Sequence, residues 1–383
     1  LRGPAMTRIS LRSLALQLGR ILLLGGIGLA PVAVNAAAPP QIQAAFKLGT
    51  FEAQGRTFVG LVLRDTVIVD FAAAHAAIRT PASSVAVPTD MKDLINRYDA
   101  GLRERILQVV ALVNSTPPTQ RLPYVYQLKD LRVRPPIMYP GKLLNVAVNY
   151  RDHDTEMRGV RDMGVPLNNA PGAPPPGTKS ATAIWERAPD DKRWNPYMFL
   201  KAPSAIIADG ETILIPPGRK MVDWECEMGV VIGKTASRVP LAQAANHIFG
   251  YTLENDVSDR EGRGDTRYGS DWMMGKSHDT FAPMGPFIVP KEFVPNPQNI
   301  NIRFSLNGQV LQEDNSALMI HDVFEQIVYA SNIMTLQVGD VIATGTPGGV
   351  GNARKPPIFF KDGDVSVCTY EGIGTLTNPV KAL

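Results

Sequence analysis

Glu225 and Glu227 lie two apart in Met221-Val222-Asp223-Trp224-Glu225-Cys226-Glu227-Met228-Gly229-Val230-Val231-Ile232-Gly233. On an extended strand, residues two apart share a face. Both carboxylates would then point one way, and Trp224, Cys226 and Met228 the other. The apolar, β-branched run from Met228 to Ile232 reads as a buried strand. Two buried like charges are costly unless something neutralises them, and a hard divalent cation with its appetite for oxygen ligands is the obvious candidate. An isolated Glu-x-Glu is more often a solvated surface pair, so the rest of the chain has to decide.

Three further segments bear on that choice. Asp256, at the end of the strand-like run Tyr251-Thr252-Leu253-Glu254-Asn255, offers a third carboxylate. Three carboxylates, completed by water or substrate, suit Mg²⁺ or Mn²⁺ better than zinc. Lys276, set between apolar stretches, can hold a substrate carboxylate or a developing oxyanion. In Val148-Asn149-Tyr150-Arg151-Asp152-His153-Asp154-Thr155-Glu156, a helix makes His153 and Glu156 neighbours at i, i+3. A carboxylate beside an imidazole raises its basicity and fixes its tautomer, as the activation of water requires. Taken alone, that spacing is also an ordinary solvated helix pair. Thr344-Gly345-Thr346-Pro347-Gly348-Gly349-Val350-Gly351 lacks the Lys-Ser/Thr and following helix of a phosphate loop, which argues against nucleotide binding. Its glycines would let backbone N–H groups approach an anion.

Positioning these groups calls for a strand-rich chain. Short strands are expected at Phe46–Phe51, Arg56–Leu63 and Thr66–Asp70, followed by one amphipathic helix over Met91–Asn114. A Pro-rich boundary near residue 139 divides a small N-terminal α+β domain, 41–138, from a catalytic domain, 139–383. In the latter, strands are expected at Leu143–Val148, Ile213–Ile215, Glu225–Ile232, Ile302–Leu306, Val341–Thr344 and Val365–Tyr370, and helices at Leu241–Ile248 and His321–Ile333. This is an α+β pattern, not the alternation of a doubly wound sheet. Residues 159–196 carry seven prolines and no periodicity, and read as a disordered insertion or a long functional loop.

The chain has 383 residues, 44% hydrophobic and 20% charged, with a formal net charge of +3. Arg2, Arg8, Arg12 and Arg20 precede residue 37 with no acidic residue among them. Without residues 1–36 the net charge is −1, and nothing suggests a nucleic-acid partner. Met6, a basic region, the apolar run Ile21–Leu29 and small residues at Val34–Ala38 read as a secretory leader over 1–36. The expectation is an exported, periplasmic protein with no membrane association after cleavage. Two cysteines exclude a disulfide framework and permit one bridge; Cys226, facing away from the glutamates, reads as a core thiol.

In combination the motifs resemble the fumarylacetoacetate hydrolase family. The resemblance rests on an ordered set: Asn149-Tyr150…His153-x-x-Glu156-Met157, Phe199-Leu200-Lys201-x-Pro203-Ser204, Glu225-x-Glu227, Asp256, Lys276-Ser277-x-Asp279-Thr280 and Thr344-Gly345-Thr346-Pro347. It runs from about Leu143 to the C-terminus. It implies a mixed β-roll or β-sandwich catalytic domain in a homodimer, with Glu225, Glu227 and Asp256 as ligands of Mg²⁺ (Mn²⁺ or Ca²⁺ as alternatives). It further implies His153 and Glu156 as the water-activating pair on a mobile segment, and Lys276 as the residue stabilising a substrate enolate or carboxylate. Arg260 and Thr346 fall at substrate-binding positions, and Lys201 at the edge of the site. The implied reaction is hydrolysis of a C–C bond in a 2,4-dioxo acid. Decarboxylation, hydration or isomerisation of 2-oxo or 2-hydroxymuconate-type acids is the alternative, and an exported, non-catalytic binding module the second. Arg263 stands where acylpyruvate-cleaving relatives often carry Gln, which implies a more anionic substrate end. Residues 159–196 exceed the corresponding family connection, and as a lid they would bring Trp185 or Trp194 over the pocket.

Overall fold

Strands form where the apolar alternation placed them: Arg56–Leu63, Ile213–Ile215 and Val365–Tyr370 match residue for residue, and Cys226–Ile232 and Val341–Ala343 to within a residue. The computed structural model describes residues 42, 44–78, 85–117, 119–161, 184, 185, 188, 191, 193–262 and 271–383. The expected leader, most of the 159–196 insertion and Arg263 lie outside the described residues.

Among the described residues the main sheet has twelve strands. Its central path runs Val125–Gln127, Val67–Asp70, Arg56–Leu63, Lys47–Ala53, Ala282–Pro290, Ile248–Asn255, Cys226–Ile232, Val341–Ala343, Leu143–Ala147 and Tyr197–Lys201. Most pairs are antiparallel, but Val341–Ala343 lies parallel to Leu143–Ala147. A second, five-stranded sheet orders Gln309–Asn315, Asn301–Leu306, Val365–Tyr370, Gly374–Ala382 and Ile213–Ile215. The protein is thus strand-rich α+β with mixed sheets. The faces of the two sheets share one apolar core in which Trp224, Cys226 and Met228 meet Phe304, Cys368 and Tyr370. The Trp224 and Phe304 rings stack at 5.0 Å. Burial of this face turns the opposite face of the same strand, with its glutamates, toward the site.

Lys47–Ala53 and Ala282–Pro290 pair across the expected boundary at 139, and Pro39–Leu383 forms one compact unit. A second apolar cluster joins the N-terminal strands to the helix Leu102–Ser115.

Four local readings differ from the sequence pattern. The single helix expected over Met91–Asn114 is two, Met91–Asn96 and Leu102–Ser115, separated by a 3₁₀ turn at Tyr98–Ala100 and by Gly101 at φ = 101°. Leu241–His247 is a 3₁₀ run, and Ile248 already begins a strand. That strand, Ile248–Asn255, and its neighbour Ala282–Pro290 are buried along their whole length. They therefore lack the alternation that marks a half-exposed strand. Cys226 is buried as expected but is not a free thiol: it is disulfide-bonded to Cys368. The helix Val323–Ile333 starts where a capping box fixes it, with Asp322 accepting from the Glu325 N–H and Glu325 reaching back.

Among the described residues no helix is long and apolar enough to cross a membrane.

Candidate active site

Three carboxylates converge. Glu225, Glu227 and Asp256 are buried, and one ligand oxygen of each lies within 4.8 Å of the others. Antiparallel pairing makes the cluster: Cys226 sits opposite Asn255, which brings the ends of the two strands together. The Asp256 N–H donates to the Glu225 carbonyl at 2.8 Å, and the Glu225 N–H to Asn255 Oδ1 at 3.1 Å.

Such a cluster repels itself. Burial pushes the Glu227 carboxyl well above its ordinary pKa, and the charges of Asp256, Glu254 and Glu225 push the same way, while Lys276 opposes them. Three converging buried oxygen donors, one of them the raised Glu227 carboxyl, are a fitting donor set for a hard divalent cation. Basic side chains also answer this charge. Lys276 Nζ donates to Glu225 Oε2 at 2.8 Å and to Asp256 Oδ2 at 2.5 Å, and lies 5.2 Å from the centre of the Phe199 ring. Lys201 Nζ donates to Asp256 Oδ1. Lys201 is 1% exposed, which places it in the interior rather than at the edge of the site.

Arg260 donates from Nε to Asp223 Oδ1 at 2.6 Å and from a terminal nitrogen to Glu225 Oε1 at 2.7 Å. Burial alone would lower its pKa, but the two carboxylates raise it. The guanidinium therefore holds Glu225 in place. Thr346 Oγ1 donates to the Cys226 carbonyl at 3.1 Å and accepts from Gln312 Nε2 at 2.8 Å, so its hydroxyl braces the strand that carries Glu227.

The second half of the site is the helix Arg151–Arg161. His153 Nδ1 lies 2.7 Å from Glu156 Oε1, and Glu156 Oε2 accepts the Gly349 N–H at 2.7 Å. His153 is 2% exposed. Asn149 ties the start of this segment to the Gly-rich turn: its amide donates to the carbonyls of Thr344 at 2.8 Å and His321 at 2.9 Å. The turn itself serves anions, but they are the protein's own. The Gly345 N–H donates to Glu227 Oε2 at 2.8 Å, four residues before the N–H that holds Glu156. Four residues span at most about 14 Å, so one loop couples the carboxylate cluster to the His–Glu pair. Gly345 has φ = 91°, and a Cβ there would lie 2.6 Å from Asn149 Cβ.

Sequence reasoning missed Asp223, Glu254 and Asn145. Asp223 is fully buried, which raises its carboxyl; Arg260 opposes that rise, and so does the Asn352 N–H, which donates to Asp223 Oδ2 at 2.7 Å. Glu254 is fully buried beside Asn145. The signal was present: Glu254 and Asp256 are two apart, as are Asp223 and Glu225. Trp185 packs on His321 and Tyr329, at 5.7 and 6.3 Å between ring centres, and belongs to the apolar core.

The family model described as the fumarylacetoacetate (FAA) hydrolase C-terminal domain matches residues 142–381. The chain is 34% identical over 293 residues to the mitochondrial oxaloacetate tautomerase FAHD2A of Bos taurus, covering 76% of this chain and 81% of that protein. Among solved structures it resembles the 5-carboxymethyl-2-hydroxymuconate delta-isomerase of Mycobacterium smegmatis, at 30% identity and TM-score 0.57, covering 88% of this chain and 99% of that one. It also resembles the maleylpyruvate hydrolase of Sphingobium sp. SYK-6 in complex with manganese(II) ion and pyruvate, at 26% identity and TM-score 0.62, covering 88% and 99%. The tautomerases that align with the chain are mitochondrial proteins, which overturns the expectation of an exported, periplasmic protein.

Proposed function

The chain belongs to the fumarylacetoacetate hydrolase family, and from that premise we propose that it is a divalent-metal-dependent enzyme interconverting the keto and enol forms of a small 2-oxo diacid. The observation that carries this reading is the loop that holds Glu227 through the Gly345 N–H and Glu156 through the Gly349 N–H. In this reading the loop joins a proton-transferring pair to a cation-binding carboxylate cluster. The relatives named oxaloacetate tautomerases support the choice of reaction.

A divalent cation held by Glu225, Glu227 and Asp256 supplies Lewis acidity toward a chelating 2-oxo acid. With Glu156 accepting at Nδ1, His153 carries its proton there and keeps the lone pair at Nε2. Nε2 removes a proton from the carbon beside the ketone, and the Glu156 carboxylate stabilises the imidazolium that forms. The same proton returns to oxygen or carbon. Lys276 presents an ammonium charge to the oxygen that gains negative charge. Arg260 keeps Glu225 oriented throughout. The homodimer implied by the family resemblance is part of this proposal, and light scattering on the purified protein checks it.

A second reading, hydrolysis of a C–C bond in a 2,4-dioxo acid, is favoured by the likeness to the maleylpyruvate hydrolase solved with manganese and pyruvate. Here His153 Nε2 takes its proton from water, whose oxygen bonds to the distal carbonyl carbon. The C–C bond then breaks, and the leaving enolate is protonated on carbon.

A substrate panel with Mn²⁺ or Mg²⁺ separates the readings. Ultraviolet loss of the oxaloacetate enol with no new carboxylic acid supports tautomerisation, and release of pyruvate from acylpyruvates supports hydrolysis. Glu227→Gln is expected to lose Mn²⁺ binding and turnover together. His153→Ala is expected to keep Mn²⁺ and slow turnover by ~10²–10⁴-fold. A wild-type protein that binds Mn²⁺ and oxo acids but turns none over would leave only the binding-module reading.

A further inference from the structure

Glu254 sits directly across the ladder from Glu227 and is 0% exposed. Its Oε2 accepts from Asn145 Nδ2 at 3.1 Å. Its Oε1 has no hydrogen-bond partner among the described residues. The ammonium facing that oxygen is Lys201 Nζ, at 3.9 Å. Lys201 donates instead to Asp256 Oδ1 and, at 3.2 Å, to the Val257 carbonyl. A buried ammonium is therefore spent on a metal-ligand oxygen, while a buried carboxylate oxygen one step away goes unmet.

We propose that Lys201 exchanges partners: when a divalent cation engages Asp256, the ammonium turns from Asp256 Oδ1 to Glu254 Oε1, which makes Glu254 the positioning residue that sets metal affinity. The inference rests on the metal-site reading above. A cation that takes Asp256 Oδ1 shares that oxygen with Lys201, and two cations on one carboxylate oxygen repel each other, so Lys201 then yields. It cannot yield to solvent, because it is 1% exposed. Losing every anionic acceptor would leave a buried charge unpaired. Closing 3.9 Å to an ordinary hydrogen-bond length takes about 1 Å, with Val257 as the pivot.

Charge balance agrees. With all four ionised, Glu225, Glu227, Glu254 and Asp256 facing Lys201 and Lys276 leave two negative charges, which one divalent cation matches. Arg260 and Asp223 neutralise each other.

The test is Mn²⁺ titration by calorimetry and electron paramagnetic resonance on the full chain, with no substrate present. Glu254→Gln keeps the shape and removes the acceptor charge, and is expected to weaken Mn²⁺ binding by ~10–100-fold. Removing the lysine as well, in Lys201→Met/Glu254→Gln, restores the net charge and frees Asp256. That double variant is expected to bind within about threefold of wild type. Equal affinity of wild type and Glu254→Gln overturns the exchange, and so does a double variant as weak as Glu254→Gln. Should Glu254→Gln not fold, the double variant decides by itself, and binding more than about tenfold weaker than wild type refutes the proposal. A wild-type chain that binds no Mn²⁺ fails earlier and overturns the metal reading itself.

Discussion

Replacing Glu156 by Gln probes the His–Glu pair with almost no change of shape. The carboxylate accepts on both oxygens: Oε1 faces His153 Nδ1 at 2.7 Å and Oε2 faces the Gly349 N–H at 2.7 Å. A glutamine has only one acceptor oxygen. If that oxygen stays with His153, the NH₂ group confronts the Gly349 N–H, donor against donor. If the amide flips to satisfy Gly349, its NH₂ faces Nδ1, which must then give up its proton. The imidazole tautomer reverses, and Nε2 loses the lone pair that catalysis needs. The first arrangement costs about 1–3 kcal/mol for an unmet donor near the interior. The second removes the base, and general-base catalysis is worth about 10²–10⁴-fold. Both arrangements also lose the carboxylate charge that stabilises the imidazolium. Turnover of Glu156→Gln is therefore expected to fall by about 10²–10³-fold, read as initial rates with oxaloacetate enol and an acylpyruvate at saturating Mn²⁺. Its Mn²⁺ dissociation constant, measured separately by calorimetry, is expected to stay within about threefold, since among the described residues Glu156 pairs with His153 and Gly349 and not with the carboxylate cluster. Turnover within threefold of wild type would refute the assignment of His153 as a base oriented by Glu156.

Three further outcomes follow from the geometry. Gly345→Ala places a Cβ 2.6 Å from Asn149 Cβ at φ = 91° and displaces the N–H on Glu227; a loss of about 1–3 kcal/mol in denaturant melts and weaker Mn²⁺ binding are expected together. The Cys226–Cys368 bond spans 142 residues, so its reduction, or Cys368→Ala, is expected to cost about 2–5 kcal/mol, measured as the shift in denaturant midpoint. Burial alone would raise the Glu325 carboxyl, but His321 and Arg193 outweigh it and hold it at about 2. A depressed folded pKa stabilises above the unfolded value and is lost as pH falls. Wild type should thus lose stability between about pH 4.5 and 2 relative to Glu325→Gln, whose pH profile should be flatter across that window.

Much of the site was legible because period-two spacing survives folding. Glu225 and Glu227 share a face, and Trp224, Cys226 and Met228 share the other, as an extended strand requires. His153 and Glu156 meet because a helix makes i, i+3 neighbours. The same rule could have flagged Asp223 and Glu254, each two residues from a metal-ligand candidate. What it could not tell was whether those carboxylates were wet or buried. The break between Asn96 and Leu102 escaped because apolar periodicity runs through it, while the backbone there makes a 3₁₀ turn and one positive φ at Gly101.

The sequence by itself determined which chemistry-bearing residues exist and which of them share a strand face or a helix turn, since those relations depend only on local backbone geometry. Only the tertiary structure decided what each one touches. Packing turned Arg260 from a free cation into the clamp on Glu225, and Thr346 into a brace for the strand beneath it. It buried Lys201 against Asp256. It also spent the Gly-rich turn's N–H groups on the protein's own Glu227 and Glu156. The physical reason is the same in each case. A buried charge must find a partner within hydrogen-bond reach, and which groups come within reach is set by strands far apart in the chain.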